Sequence, residues 1–313
     1  VARWFFIMGR AAADHESLHC VTEPAPVLAL LWRIILRRRI PSNLIILLHG
    51  TEILRWRRRK WLVRAIRALA RKSRLLVPSV CVSEMIAEVL GPGFASPEVL
   101  PYAPPKFCYN NSGRKQTKPD ASLTLLTVAR IHPRKGQLDV VKALQKVNPA
   151  LTHNIRYRIV GDGRKSRRAY LAALRKAADQ APFEVTEEGP KYGEDLIRAY
   201  CDSDVFVMAS RDDPDSLESF GLVYLEAASF GLPILATRVG GVAEACSEGA
   251  LLAEPHSEDA LVEGLERLLS DANLRRSLGE AGARRTRAMN WNAAASLLLG
   301  ETNRASLSPS PTQ

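Results

Sequence analysis

From residue 123 onward the chain alternates short apolar runs with stretches of helical period, and this alternation narrows the fold more than any other feature. Strands are expected at 123–128, 156–160, 205–209 and 233–236. Helices are expected at 136–146, 166–179, 194–201, 222–230, 241–246, 257–270, 272–288 and 291–299. A strand that feeds a helix and then another strand builds a parallel sheet with helices on both faces. The fold class is therefore α/β.

The first part of the chain repeats the theme less cleanly. Residues 44–48 (LIILL) read as a buried strand ending at His49-Gly50, and 4–8 (WFFIM) as another. Residues 53–74 read as one long basic helix, with Leu62, Ala65, Ile66 and Leu69 at helical spacing. Residues 75–82 read as a strand, with Ser83 capping a short helix. Residues 101–122 are rich in Pro, Asn, Ser and Lys and lack periodicity, which marks a linker. The expected organisation is a first unit at 1–105, a linker at 106–122, a second unit at 123–300 and a polar, disordered tail at 301–313. The chain opens at Val1 without Met, so its true beginning is expected upstream.

Charge is unevenly distributed. The net charge is +11, yet residues 1–120 hold 20 Lys/Arg against 8 Asp/Glu while the remainder is nearly balanced. Such asymmetry points to an anionic surface or partner for the first unit. Its centre is the basic amphipathic helix at 55–74, with Trp56 and Trp61, joined by Arg37–Arg39. Docking on an anionic membrane is the preferred reading. Nucleic acid is the weaker one, and a solvated helix face is the plain alternative. Five cysteines, an odd count with no close pair, suggest neither a disulfide framework nor a zinc site and fit a reducing compartment. The longest apolar run, 27–36, has ten residues and contains Arg33, too short to span a bilayer.

In an open α/β sheet, ligands bind beyond the carboxyl ends of the strands. The residues there are Ala129-Arg130, Gly161–Gly163, Ser210–Phe220 and Thr237–Gly241. Arg130 and Lys135, beside a helix start in ARIHPRKG, suit a diphosphate, or else form a solvated basic loop. The segment ESFGLVYLE sets Glu218 just before a helix and Glu226 two turns inside it. Eight helical residues span about 12 Å, the reach from a sugar ring across a diphosphate to a ribose. Glu218 would accept from sugar hydroxyls, the amides of Phe220, Gly221 and Leu222 would hold phosphate oxygens, and Glu226 would take a ribose diol. Two unrelated surface glutamates are the plain alternative. The apolar company of Glu226 would bury it, and a buried carboxylate needs partners.

These segments, with RIVGDG, DVFVMAS and VGGVAEAC, resemble the GT-B-fold retaining glycosyltransferases of the family numbered four, continuously over 123–300. LIILLHGTE, VCVSEM and VLPYAPP resemble the family's acceptor-side domain. The resemblance implies two Rossmann-like domains facing a cleft, the first one abbreviated because no glycine-rich opening loop is found and Gly9 stands alone. It implies that Arg130 and Lys135 hold the donor diphosphate, that Glu218 meets the donor sugar and Glu226 the ribose, and that His49 lies near the anomeric carbon. Gly161 would line the same crevice. The implied reaction moves a hexose from a nucleoside-diphosphate sugar, with retention, to a glycan or lipid-linked acceptor. It needs no metal cofactor, and it runs in cell-surface polysaccharide or glycolipid synthesis on the cytoplasmic side of the plasma membrane. Asp213-Pro214-Asp215 has the form of a metal-binding D-x-D but reads here as a polar loop. Two alternatives stay open: a non-catalytic remnant that binds nucleotide sugar or membrane, and a sugar-nucleotide epimerase of the same fold.

Overall fold

The computed structural model describes residues 17–20, 43–109, 122–164, 166, 168–212 and 216–299. The expectations for 4–8, Gly9, 27–39, Asp213–Asp215 and the tail lie outside them.

The first unit contains β1 (Ser17–Cys20), β2 (Asn43–Leu47), α1 (Thr51–Trp56), α2 (Lys60–Ala70), β3 (Arg74–Val77), α3 (Val80–Leu90) and β4 (Glu98–Val99). Its strands form a parallel sheet in the order β1-β2-β3-β4. The second unit contains β5 (Leu123–Val128), α4 (Gln137–Lys146), α5 (Pro149–Thr152), β6 (Ile155–Val160), α6 (Arg168–Asp179), β7 (Glu184–Gly189), α7 (Gly193–Cys201) and β8 (Val205–Met208). It continues with α8 (Leu222–Ser229), β9 (Ile234–Thr237), α9 (Val242–Cys246), β10 (Ala250–Ala253), α10 (Glu258–Ser270), α11 (Ala272–Ala288) and α12 (Trp291–Leu299). Its six strands are parallel in the order β10-β9-β8-β5-β6-β7.

That order is the doubly wound one, and it reverses direction between β5 and β8. The crevice beyond their carboxyl ends is where such sheets take ligands. Alternate strand residues divide between the two faces. Leu125, Val205, Val207 and Leu235 pack with α4, α6 and α10. Leu126, Phe206, Met208, Ile234 and Ala236 pack with α7, α8 and α9. The first sheet is treated likewise. Leu44, Ile46 and Leu48 meet Ile53, Ile66, Val82 and Ile86 on one face, while Ile45, Leu76 and Leu100 meet Ala294 and Leu297 of α12 on the other. The last helix thus crosses back to cover the first unit.

Three expectations are corrected. The basic helix is two helices, broken at 57–59. There Arg57, Arg58, Arg59 and Lys60 are all exposed. In one continuous helix Arg57 and Lys60, three apart, would share a face and repel, and Ile53 and Leu54 are already buried ahead of the break. Next, β3 stops at Val77, before Pro78, and the following helix is capped by Ser79, not Ser83. Ser79 Oγ accepts from the Val82 amide at 3.2 Å, whereas the Ser83 hydroxyl is buried inside the helix and donates to the Pro97 carbonyl at 2.7 Å. Finally, β7, β10 and α5 form where no element was expected. At the start of the expected linker, residues 106–108 form a 3-10 turn, and Cys108 is buried against the second unit's core.

Candidate functional site

The turn after β5 is built to approach the turn after β8. Gly136 has φ 66, and a Cβ there would lie 1.9 Å from the Ala209 carbonyl oxygen. Only glycine combines that left-handed backbone with that contact. The approach delivers Lys135 to Glu218: ammonium and carboxylate form an ion pair, with side chains 18% and 13% exposed. Arg130 stands exposed in the same turn, its carbonyl held by Gln137 Nε2 at 2.9 Å. Gly161 follows β6, and its amide donates to the Gly189 carbonyl at 2.8 Å. It therefore belongs to the same carboxyl edge.

The loop carrying Glu218 is braced from behind. Its amide donates to Asp212 Oδ1 at 3.2 Å, and its carbonyl accepts from the Gly241 amide at 2.8 Å. Burial raises the Asp212 carboxyl above its ordinary range, against the lowering effect of the Glu218 and Gly240 amides and Arg134. Phe220 is buried, its ring edge-on to Tyr102 at 5.4 Å. Gly221, in the left-handed region, caps α8, which starts at Leu222. The first amides of a helix have no intrahelical acceptor, so this end offers donors to an anion.

Along α8 the residues that are not buried are Leu222, Val223, Glu226 and Ser229. Leu222, Glu226 and Ser229 share one stripe at i, i+4 and i+7. Glu226 is mostly buried and has the internal partner that its apolar setting demands. The hydroxyl of fully buried Tyr200 donates to its Oε2 at 2.7 Å. Burial pushes the Glu226 carboxyl above the usual range, and the Tyr200 bond only partly offsets this.

His49 reaches the site from the first unit. It is exposed at the end of β2, its amide donates to the Glu52 carboxylate, and its carbonyl accepts from the Ser219 hydroxyl. The structure thus gathers His49, Lys135 and Glu218 around one loop. Glu226 lies further along α8 and is engaged by Tyr200. Sequence reasoning did not single out Asp212, Ser219, Tyr200 or Ser79. Ser79 had a readable signal, a serine directly after the strand-ending Pro78. Asp212 bonds the Glu218 amide six residues on, while Tyr200 and Ser219 act through contacts across 26 and 170 residues, which no local pattern encodes.

The family description Glycosyl transferases group 1 matches residues 110–285, more than half of the 313. The chain belongs to this family. Its group 1 relatives include a GDP-mannose-dependent monoacylated alpha-(1-6)-phosphatidylinositol monomannoside mannosyltransferase of Corynebacterium glutamicum, 33% identical over 52% of this chain and 42% of the relative. Another is a D-inositol 3-phosphate glycosyltransferase of Paenarthrobacter aurescens, 31% identical over 62% of this chain and 47% of the relative. The chain spans about half the length, or less, of these curated relatives. Among solved structures, Anabaena HepE in complex with UDP superposes with TM-score 0.75 at 17% identity, covering 95% of this chain and 81% of that one. Sucrose-phosphate synthase from Thermosynechococcus elongatus gives 0.71 at 21%, covering 96% and 76%. The fold of this group 1 member is GT-B.

Proposed function

We infer that this chain transfers a hexose from a nucleoside-diphosphate sugar, with retention at the anomeric carbon. The observation that carries the reading is the Lys135–Glu218 pair facing the start of α8 beside exposed Arg130, at the switch point of the sheet. A diphosphate arriving there takes Lys135 and Arg130 as counter-charges and the first amides of α8 as hydrogen-bond donors. Glu218, released from Lys135, accepts from sugar hydroxyls, and Glu226 accepts from the ribose diol.

The transition state has oxocarbenium character and a departing diphosphate. Its stabilisation is electrostatic: fixed cations and amides aimed at the leaving group. No divalent metal is required in this scheme. The His49 carbonyl is held by the Ser219 hydroxyl next to Glu218, which supports a role for His49 at the sugar from the acceptor side. The leaving phosphate oxygen takes the proton of an acceptor hydroxyl that attacks from the same face.

The acceptor is a glycan or a lipid-linked molecule, and the chain works at an anionic membrane surface on the cytoplasmic side. Support comes from the first unit, where Arg57, Arg58, Arg59, Lys60, Arg64 and Trp61 are exposed around α2. Among the described residues no helix is long and apolar enough to cross a membrane.

A thermal-shift panel of nucleotide sugars tests the donor reading, because a ligand that binds only the native state raises the midpoint. One nucleotide sugar should stabilise the chain, and Arg130→Ala and Lys135→Ala should remove the shift. Retention of the shift in both variants refutes the assignment.

A further inference from the structure

The two GT-B units are joined by a chain of polar contacts that runs through the Glu218 loop. Glu244, in α9 of the second unit, reaches the amino end of α3 in the first. Its Oε2 accepts the Val80 amide at 2.7 Å and its Oε1 the Cys81 amide at 2.9 Å. Ser79, the N-cap of α3, donates its hydroxyl to the Ser219 carbonyl at 2.7 Å. The Ser219 hydroxyl donates in turn to the His49 carbonyl. A Cβ at Gly241 would lie 2.2 Å from the Ser219 oxygen and 2.8 Å from Ser79 Oγ, so the seam closes only on glycine.

A carboxylate on a helix start is favoured twice, by charge-assisted bonds and by the helix dipole. Parting the units would strip α3 of that carboxylate and break both serine links. The loop carrying Glu218 would keep its Gly241 and Asp212 bonds but lose every contact named here with the first unit.

The geometry points to Glu244 as a positioning residue for the donor sugar: it latches α3 onto the Ser219 loop, so that Glu218 and His49 face the sugar together only while the units are closed. Glu244 itself touches no donor atom. The inference rests on the reading of Glu218 as the donor-sugar contact.

The test compares a nucleotide with its sugar-bearing form. Dissociation constants for UDP and UDP-glucose, and for GDP and GDP-mannose, are measured by calorimetry on the full chain and on Glu244→Gln and Ser219→Ala. A side chain that merely supports the fold would weaken both members of a pair alike. The latch predicts that the nucleotide alone is held within about twofold, while the sugar-bearing form loses about tenfold, the worth of one hydrogen bond. The radius of gyration of Glu244→Gln by X-ray scattering should also increase. Combining Glu244→Gln with Glu218→Gln should lower the ratio no further than Glu218→Gln alone, because both act on one contact.

An unchanged ratio in folded Glu244→Gln overturns the latch and leaves the donor site standing. If Glu244→Gln does not fold, Ser219→Ala decides by the same ratio. Failure of the unaltered chain to bind either pair overturns the donor-site reading and the latch with it.

Discussion

Lys135 and Glu218, 83 residues apart in sequence, neutralise one another across the crevice between β5 and β8. Each is thereby already paired, so on the proposed donor reading binding exchanges the pair for phosphate and hydroxyl partners. The two halves of the donor then respond in opposite directions to one substitution. Glu218→Gln frees the Lys135 ammonium for phosphate, so UDP or GDP alone should bind about threefold to tenfold more tightly, the range of a shielded ion pair of about 1 kcal/mol. The additional affinity contributed by the sugar should fall. Lys135→Ala should weaken both forms and lower turnover by about 10²-fold, as loss of a leaving-group stabiliser does. Calorimetry on the two variants checks the signs, and weaker UDP binding by Glu218→Gln would contradict the exchange.

The buried carboxylate of Glu226 gives a pH-dependent expectation. Burial raises it above its ordinary value of 4.5, Tyr200 offsetting only part. A raised carboxyl binds its proton more tightly in the folded chain than in the unfolded one. Its contribution to stability is therefore present at pH below 4.5 and is lost as pH rises through the folded value. Glu226→Gln keeps an acceptor for Tyr200 and has no charge to bury. Its thermal midpoint relative to the unaltered chain should rise between pH 4 and pH 7, while nucleotide affinity falls by about tenfold for a lost charged hydrogen bond. A midpoint difference independent of pH would show that Glu226 does not feel its burial.

Gly136 holds the two turns of the crevice together, with its hypothetical Cβ 1.9 Å from the Ala209 oxygen at φ 66. Gly136→Ala should cost about 2–4 kcal/mol in urea unfolding, combining backbone strain with a steric clash. Donor affinity should fall with it, because the same turn carries Lys135.

The second unit was largely legible because its central strands are predominantly apolar runs, LTLLTV at Leu123–Val128 and VFVM at Val205–Met208. β7 was not, and the reason is physical. It is an edge strand of sequence EVTEEG whose glutamates pair with Arg156, Arg158 and Arg175 on neighbouring elements, so it shows no apolar alternation. Ion pairing also leaves a mark in titration, since the Arg158 bond holds Glu188 down at about 2. The positions of Lys135 and Glu218 beside the start of α8, and of Glu226 along it, were legible because they follow the helix start. It was hidden where the two units meet, because the Ser219–His49 bond closes a separation of 170 residues. The break in the basic helix was missed for a related reason: apolar spacing at Leu62 and Ile66 is the same whether one helix or two precede it.

That break shapes the last expectation. α2 buries Leu62 and Ile66 and turns Lys60, Trp61 and Arg64 outward, with Trp61 56% exposed. A short helix lying flat, with its tryptophan beside cations, can set the indole at the headgroup level while the cations meet lipid phosphates. The chain should co-sediment with vesicles containing phosphatidylglycerol and not with neutral phosphatidylcholine vesicles. Each of Lys60→Glu and Arg64→Glu should weaken binding by at least about fivefold at low salt, from about 1 kcal/mol for each cation near the surface. Trp61→Ala should weaken it in a salt-independent way, since the indole contributes by burial and not by charge. Charge reversal at Lys60 and Arg64 leaves the crevice residues untouched, so nucleotide affinity in solution should stay at the level of the unaltered chain. Equal binding to neutral and anionic vesicles would rule out the electrostatic mode of docking.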